Sequence, residues 1–201
     1  GIEPPKHAAE RNADLTSYID TVFGGEKADR VVMYNPDAVA LWLFEKYTDI
    51  FAPVMLNTQL TLPLQTVMPS VTPVCFATMY TGAEPDIHGI KAYRKPVVKT
   101  DSVFDALIRA GKKPCIVSTG EDSMSKIFLE RDMDYYIYDE IDEVNEKARE
   151  LIDKDIYDVI VVYNGNYDGF MHKYGPEADE TMSQLKDNIA VYSDFVKRIK
   201  E

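Results

Sequence analysis

The chain has 201 residues, with 34 acidic and 22 basic side chains and a formal net charge of −12 at pH 7. This length fits one domain, and a hydrophobic content of 45% excludes a disordered chain. The negative charge argues against a nucleic-acid surface, and it also repels anionic substrates unless cations are held locally. No apolar run is long enough to predict a membrane helix, and residues 1–27 lack the apolar stretch of a signal peptide.

The chain contains two cysteines, Cys75 and Cys115. A secreted scaffold that depends on disulfides would carry more cysteines at patterned spacings. We therefore expect two small buried thiols rather than a disulfide, and a cytoplasmic location.

The predicted elements alternate along the chain. Hydrophobic periodicity and the positions of glycine predict helices at 13–23, 37–47, 72–80, 102–110, 139–154 and 177–200. Short apolar runs predict strands at 30–34, 114–118, 134–138 and 157–163, and a strand or extended segment at 59–68. Residues 84–96 and 164–175 are expected to be loops.

Strands that alternate with helices predict parallel βαβ units in a doubly wound sheet flanked by helices. Ligands of such sheets bind beyond the C-terminal ends of the strands. Asp37 follows the first predicted strand, and Asp168 and His172 follow the strand at 157–163. We therefore expect these side chains at one edge of the sheet.

Several residues at this edge are of types that carry phosphate or metal chemistry. Thr72-Pro73 marks a helix start, where backbone N–H groups attract anions, although Thr72 could simply cap the helix. Asp168 and His172 are four residues apart, a spacing that lets a carboxylate and an imidazole bind one zinc or manganese ion. The alternative for this pair is solvent exposure. Asp37 could cap the following helix or bind a metal.

Three segments resemble motifs of the type I phosphodiesterase and nucleotide pyrophosphatase family, which belongs to the alkaline phosphatase superfamily. Residues 69–90 resemble the family's nucleophile region and end in Thr-Gly-x-x-Pro-x-x-His-Gly-Ile at 81–90. Residues 168–176, Asp-Gly-Phe-Met-His-Lys-Tyr-Gly-Pro, resemble a metal-binding motif, and residues 31–37 resemble the strand that ends in the first metal-binding aspartate. The resemblance runs from about residue 30 to about residue 195.

The resemblance implies a hydrolase of phosphodiester or phosphoanhydride bonds with an alkaline-phosphatase-like fold. Thr72 would be the nucleophile and would form a covalent threonine ester with phosphorus. Two divalent metal ions, zinc or manganese, would bind the phosphate oxygens, one held by Asp37 and Thr72 and the other by Asp168 and His172. The ligand would be a small phosphate-containing substrate, with no nucleic acid and no membrane as partner.

The sequence departs from the family pattern at three points. Cys75 replaces the asparagine expected three residues after the nucleophile, a phosphate-binding role that Asn164 or Asn166 could take over. Ala38 replaces a glycine after the first aspartate. An Asp-His-Gly motif and a further histidine are absent, since the remaining histidines are His7, expected in solvent, and His88, expected to be structural.

The missing motifs lead us to expect that residues 1–201 form one α/β domain that is the N-terminal portion of a longer catalytic domain. We expect such a chain to bind zinc weakly and to hydrolyse little, because a catalytic zinc normally has three protein ligands. A phosphonate hydrolase or phosphomutase would use the same scaffold. The alternative outside enzymes is a domain that binds phosphate or a partner without turnover. A flavodoxin-like module would need a glycine-rich loop after the first strand, where this sequence has Asn-Pro-Asp-Ala.

Overall fold

A computed structural model describes residues 1–200. Its four strands are β1 (Val31–Pro36), β2 (Pro114–Thr119), β3 (Asp134–Tyr138) and β4 (Val159–Asn164). The helices of the N-terminal half are α1 (Ala13–Phe23), α2 (Leu41–Lys46), α3 (Ala52–Met55), α4 (Thr72–Thr81), α5 (Pro85–His88) and α6 (Val103–Arg109). The helices of the C-terminal half are α7 (Ser123–Ile127), α8 (Ile141–Lys154), α9 (Asn166–Tyr174) and α10 (Asp179–Lys200).

The strands form one sheet in the order β1-β4-β2-β3, and every neighbouring pair is parallel. Parallel neighbours put all four C-terminal strand ends at the same edge of the sheet. Asp37 N–H extends the β1-β4 ladder by donating to Asn164 O at 2.9 Å. The predicted parallel α/β fold is confirmed.

Both faces of the sheet are covered, because alternate residues of the central strands face opposite sides. Ile116 and Val161 pack on one face with side chains of α4, α6 and α7, including the stacked rings of Tyr80 and Phe104. Val117 and Val162 pack on the other face with α8 and α10. A third cluster joins α2, α9 and α10 at the end of the sheet that carries Asp37.

The prediction of a loop at residues 164–175 is wrong, because α9 occupies Asn166–Tyr174. Its sequence contains Gly169 and several polar residues, which weaken the helical pattern. The helix is stabilised instead by tertiary contacts, since Tyr167 is fully buried beside α2 and α10. As a consequence, Asp168 and His172 lie one turn apart on a helix.

Two further expectations for the N-terminal half are wrong, and a third is wrong in one of its two alternatives. Residues 59–68 form no strand, which leaves the extended segment of the two alternatives predicted for them. Pro63 interrupts their alternation. Helix α2 begins at Leu41 rather than at 37, because Ala38 has a left-handed backbone with φ +62°. The loop at 84–96 contains the short helix α5. In the part of the chain that the structure describes, no helix combines the length and apolarity needed to cross a membrane.

Candidate active site

Acidic residues follow three neighbouring strands at the C-terminal edge of the sheet. Asp37 follows β1, Asp122 follows β2, and Asp168 lies in the first turn of α9 after β4. The three carboxylates are close enough for the charges of Asp37 and Asp122 to act on Asp168. This edge is where a parallel α/β sheet places its ligands.

The carboxylate of Asp37 accepts three hydrogen bonds at this edge. Its Oδ2 accepts the hydroxyl of Thr72 at 3.0 Å and the hydroxyl of Tyr163 at 2.5 Å. Its Oδ1 accepts the backbone N–H of Ala38 at 2.8 Å. These bonds fix the orientation of the carboxylate, and none of them caps a helix, because α2 begins four residues later with Ala40 at its N-cap.

Thr72 is the first residue of α4 and does not cap it. The N-cap position belongs to Val71, so the Thr72 hydroxyl is free to reach Asp37. The backbone donors of this helix start are few, since Pro73 has no N–H and the N–H groups of Val74 and Cys75 donate to Val71 O. An anion at this point would therefore depend on the side chains more than on the helix end.

Tyr163, the last but one residue of β4, was not identified from the sequence. It is 3% exposed and its ring packs edge-on against Phe76 of α4. Burial, reinforced by the charge of Asp37, raises the pKa of Tyr163 far above its ordinary value, so its hydroxyl remains a donor to Asp37. Gly165 makes room for this ring, because a Cβ there would lie 3.1 Å from Tyr163 Cε1. A tyrosine that ends an apolar strand was the available signal.

Asp168 and His172 interact mainly with each other. The distance from His172 Nε2 to an Asp168 carboxylate oxygen is 3.4 Å, and the histidine side chain is 74% exposed. Burial, together with the charge of Asp37, raises the pKa of Asp168, while His172 lowers it. This pair therefore has fewer hydrogen-bond partners than Asp37.

Asp122 is the second residue at this edge that sequence reasoning missed. Its Oδ2 accepts hydrogen bonds from Ser118 Oγ and from the N–H of Thr119, both at 3.3 Å, and another from the Thr119 hydroxyl. Burial raises the pKa of Asp122 despite these donors and despite the charge of Lys95. An aspartate three residues after an apolar strand was the signal for it.

The three residues expected to bind substrate, Cys75, Asn164 and Asn166, differ in exposure and in existing hydrogen bonds. Asn164 is 1% exposed, donates to the Tyr34 hydroxyl at 3.2 Å and accepts the N–H of Asn166 at 3.0 Å. Asn166 donates to Gln184 Oε1 at 2.9 Å. Both amides would have to break these bonds to reach a substrate. Cys75 is partly exposed, and burial raises the pKa of its thiol.

The remaining histidines lie outside this group. His88 is buried, bonds through Nε2 to the Thr78 hydroxyl at 2.9 Å and accepts the N–H of Ile90 at Nδ1. Burial lowers the pKa of His88, which favours a neutral imidazole with a structural role. His7 is exposed.

The side chains are of types that bind divalent metal ions, but too few of them are grouped around any one point. Carboxylate, hydroxyl and imidazole groups are ligands that zinc and manganese accept. They are arranged as two pairs, Asp37 with Thr72 and Asp168 with His172. Among residues 1–200, no three side chains of histidine, cysteine, aspartate or glutamate are grouped so that they could hold one metal ion.

Comparisons with known proteins agree with the sequence motifs. A family model described as type I phosphodiesterase / nucleotide pyrophosphatase matches residues 43–106, which include Thr72. A structure of murine ectonucleotide pyrophosphatase / phosphodiesterase 5 superimposes with a TM-score of 0.68 and 18% sequence identity. The match covers 85% of this chain and 53% of that one, so the chain spans about half of the murine protein's length. At this identity the superposition demonstrates a shared fold. No curated protein matches.

Proposed function

From the relationship of this chain to the type I phosphodiesterase / nucleotide pyrophosphatase family, we propose that it contributes the nucleophile half of a hydrolase site for phosphodiester or phosphoanhydride bonds. The observation that carries the proposal is the contact between Thr72 Oγ1 and Asp37 Oδ2 at 3.0 Å. These residues are 35 positions apart in sequence, and each lies in a different segment that resembles a family motif. The chain spans about half of the murine protein's length. That a complete enzyme containing this chain is active is therefore also proposed.

In the proposed reaction, the oxygen of Thr72 forms a bond to phosphorus while the bond from phosphorus to the leaving oxygen breaks. The Thr72 hydroxyl donates its hydrogen to Asp37 Oδ2, so the lone pairs of the Thr72 oxygen stay available for attack on phosphorus. Asp37 then accepts the proton of Thr72. In the second step, the oxygen of water forms a bond to phosphorus while the bond from phosphorus to Thr72 breaks. The Thr72 oxygen takes back the proton from Asp37, which restores the hydroxyl, and the phosphate product leaves. Tyr163 supports both steps by holding Asp37 in place.

Two divalent cations, zinc or manganese, belong to this proposal, with Asp37 and Thr72 as ligands of one and Asp168 and His172 as ligands of the other. When bound, such cations neutralise the phosphate oxygens and favour the deprotonated nucleophile. Without them, the carboxylates of Asp37, Asp122 and Asp168 repel an anionic substrate, and the net charge of −12 adds to this repulsion. Cys75, Asn164 and Asn166 remain proposed substrate contacts.

The test is a covalent-adduct experiment with a chromogenic phosphodiester and added zinc or manganese. We expect slow turnover by the 201-residue chain and a mass increase on the peptide that contains Thr72. Thr72→Ala should abolish both, whereas Thr66→Ala, which removes an exposed hydroxyl from the preceding segment, should change neither. Turnover within a few-fold of the parent in Thr72→Ala would reject Thr72 as the nucleophile.

A domain that binds phosphate or a partner without turnover is the second candidate. The two-ligand arrangement of the metal-binding side chains favours it, since a catalytic zinc normally has three protein ligands. Elemental analysis of the purified protein distinguishes the candidates when it is combined with the adduct experiment. A metal-free protein that binds inorganic phosphate and forms no adduct on Thr72 would support the second candidate.

The proposed cytoplasmic location rests on the two cysteines. Both are free, and burial raises the pKa of the Cys115 thiol to about 12. Free thiols are typical of a reducing compartment. Fractionation of cells that express the natural gene would test this location, and recovery outside the cytoplasm would reject it.

A further inference from the structure

Asn188 is a buried polar residue whose side chain has an unpaired hydrogen-bond donor. It lies in α10 and is 3% exposed, and among residues 1–200 no acceptor pairs with its Nδ2. A buried donor without an acceptor lowers stability, because it has lost its water and gained nothing in exchange. Native proteins pair nearly all such groups, so this one needs a specific explanation.

The side chain of Asn188 lines a cavity of about 240 Å³ between α3, α10 and the end of β1. Within the part of the chain that the structure describes, no charged side chain lines this cavity. Apolar side chains form most of its wall: Pro36, Val39, Phe51, Val54, Leu185 and Ile189. The cavity therefore suits an apolar, uncharged molecule.

Tyr192 also lines the cavity, and its hydroxyl is already paired. Thr58 Oγ1 donates to Val54 O at 2.8 Å, so the 2.9 Å contact between the hydroxyls of Thr58 and Tyr192 has the tyrosine as donor. This contact joins α10 to the segment that follows α3 and ties two walls of the cavity together. Tyr192 is thus part of the framework and has no hydrogen left for a ligand.

Tyr34 is the remaining polar residue of the wall. Its hydroxyl oxygen accepts a hydrogen bond from Asn164 Nδ2 at 3.2 Å. Burial raises the pKa of Tyr34, so the hydroxyl keeps its own hydrogen. Asn188 Nδ2 and the Tyr34 hydroxyl are both hydrogen donors, and the group that complements them is an acceptor such as a carbonyl oxygen.

The cavity adjoins the candidate active site without including its central contact. Pro36 and Val39 line it, and Asp37 lies between these two residues in the chain. Thr72 does not line it. A molecule in the cavity would therefore contact the segment that carries Asp37 and leave the bond between Asp37 and Thr72 in place.

We propose that this cavity binds a small, uncharged and mainly apolar molecule with one carbonyl oxygen, which accepts a hydrogen bond from Asn188 Nδ2. An apolar cavity of about 150 Å³ holds benzene. A volume of about 240 Å³ therefore accommodates an aromatic or aliphatic ring with a short acyl substituent. The apolar walls provide affinity, and the hydrogen bond selects the carbonyl group. The proposal does not depend on the proposed function, because it involves neither phosphate nor Thr72.

The test is an NMR titration of the isotope-labelled 201-residue chain with acetophenone and with isopropylbenzene. The two compounds have nearly the same shape, but only acetophenone carries a carbonyl oxygen. We expect both to shift the amide signals of residues 36–39, 51–54 and 185–192. Asn188→Leu should weaken the binding of acetophenone about five-fold, the effect of one hydrogen bond. It should not weaken the binding of isopropylbenzene, which makes no such bond.

Asn145→Leu is the matched control. Asn145 is also a buried helical asparagine with an unpaired side-chain atom, but it lies in α8 and does not line the cavity. This variant should bind both compounds as the parent does. Val54→Phe fills the cavity and should abolish the binding of both compounds, which tests the site independently of Asn188.

The amide spectrum of each variant also reports whether it is folded. Unchanged binding of acetophenone in Asn188→Leu, or an equal loss of both compounds, would overturn the hydrogen bond to Asn188. Shifts confined to residues outside the cavity, or binding that survives in Val54→Phe, would overturn the site itself. Neither result bears on Thr72, whose role is tested by the adduct experiment.

Discussion

The two halves of the candidate active site are built differently. Asp37 accepts three hydrogen bonds, and one of its donors is a buried tyrosine. Asp168, which is partly buried, and the exposed His172 lie one helical turn apart and interact mainly with each other. The fold therefore orients the half that contains Asp37 and Thr72 through several hydrogen bonds, while the half that contains Asp168 and His172 has few.

This difference has an energetic side. A carboxylate that accepts several hydrogen bonds contributes to stability, because its removal leaves buried donors without a partner. A carboxylate that lies close to other carboxylates and gains few donors lowers stability instead, which is a common property of functional sites. Asp37 represents the first case and Asp168 the second, so substitutions should separate the two halves even without an activity assay.

The largest effect is expected from removing Asp37. Asp37→Ala should lower the free energy of unfolding by about 3 kcal/mol, because the buried Tyr163 hydroxyl loses its charged acceptor. Urea denaturation followed by circular dichroism measures this change. A loss below about 1 kcal/mol would mean that the bonds to Asp37 are not formed in solution.

Asp168→Ala is the matched substitution in the other half, and we expect it to leave stability unchanged or raised at pH 7. Burial raises the pKa of Asp168, so the native state disfavours the charged form and loses stability as pH rises from 3.8 through the raised value. The variant should therefore gain over the parent as pH increases through this window, and show no gain below it. A stability loss similar to that of Asp37→Ala would contradict the comparison.

The next effect concerns two glycines near the start of α9. Gly165→Ala should cost about 2 kcal/mol, because its methyl group would crowd the Tyr163 ring and strain the bond to Asp37. Gly169→Ala should instead stabilise by about 0.5–1 kcal/mol, since it lies inside the helix with open space around it. Thermal denaturation of both variants gives the answer, and equal effects of the same sign would exclude crowding at Tyr163.

The smallest effect is expected at Ala38. Its φ of +62° is a left-handed backbone conformation, which the methyl group of alanine disfavours. Ala38→Gly should remove this strain and raise stability by at most about 1 kcal/mol, since the gain is partly offset by the greater freedom of glycine in the unfolded chain. A loss of stability in urea denaturation would show that the strain is not present.

Local sequence patterns were sufficient for much of the fold. Helix α1 and strand β3 occur where the sequence predicts them, and the alternation of strands and helices correctly predicts a parallel sheet. The pattern fails at α9, whose helix depends on burying Tyr167 against other elements. The strand alternative also fails at residues 59–68, where Pro63 interrupts the alternation and no strand forms.

The site divides in the same way. Local patterns were enough to place Asp37 and Asp168 after strands and to predict that Thr72 begins a helix, because motifs and helix starts are local features of the chain. The bond from Thr72 to Asp37, in place of helix capping, and the bond from Tyr163 to the same oxygen depend on the tertiary structure. The physical reason is distance along the chain: Tyr163 is 126 residues from Asp37, and no local pattern encodes a contact that exists only once β1 and β4 are paired.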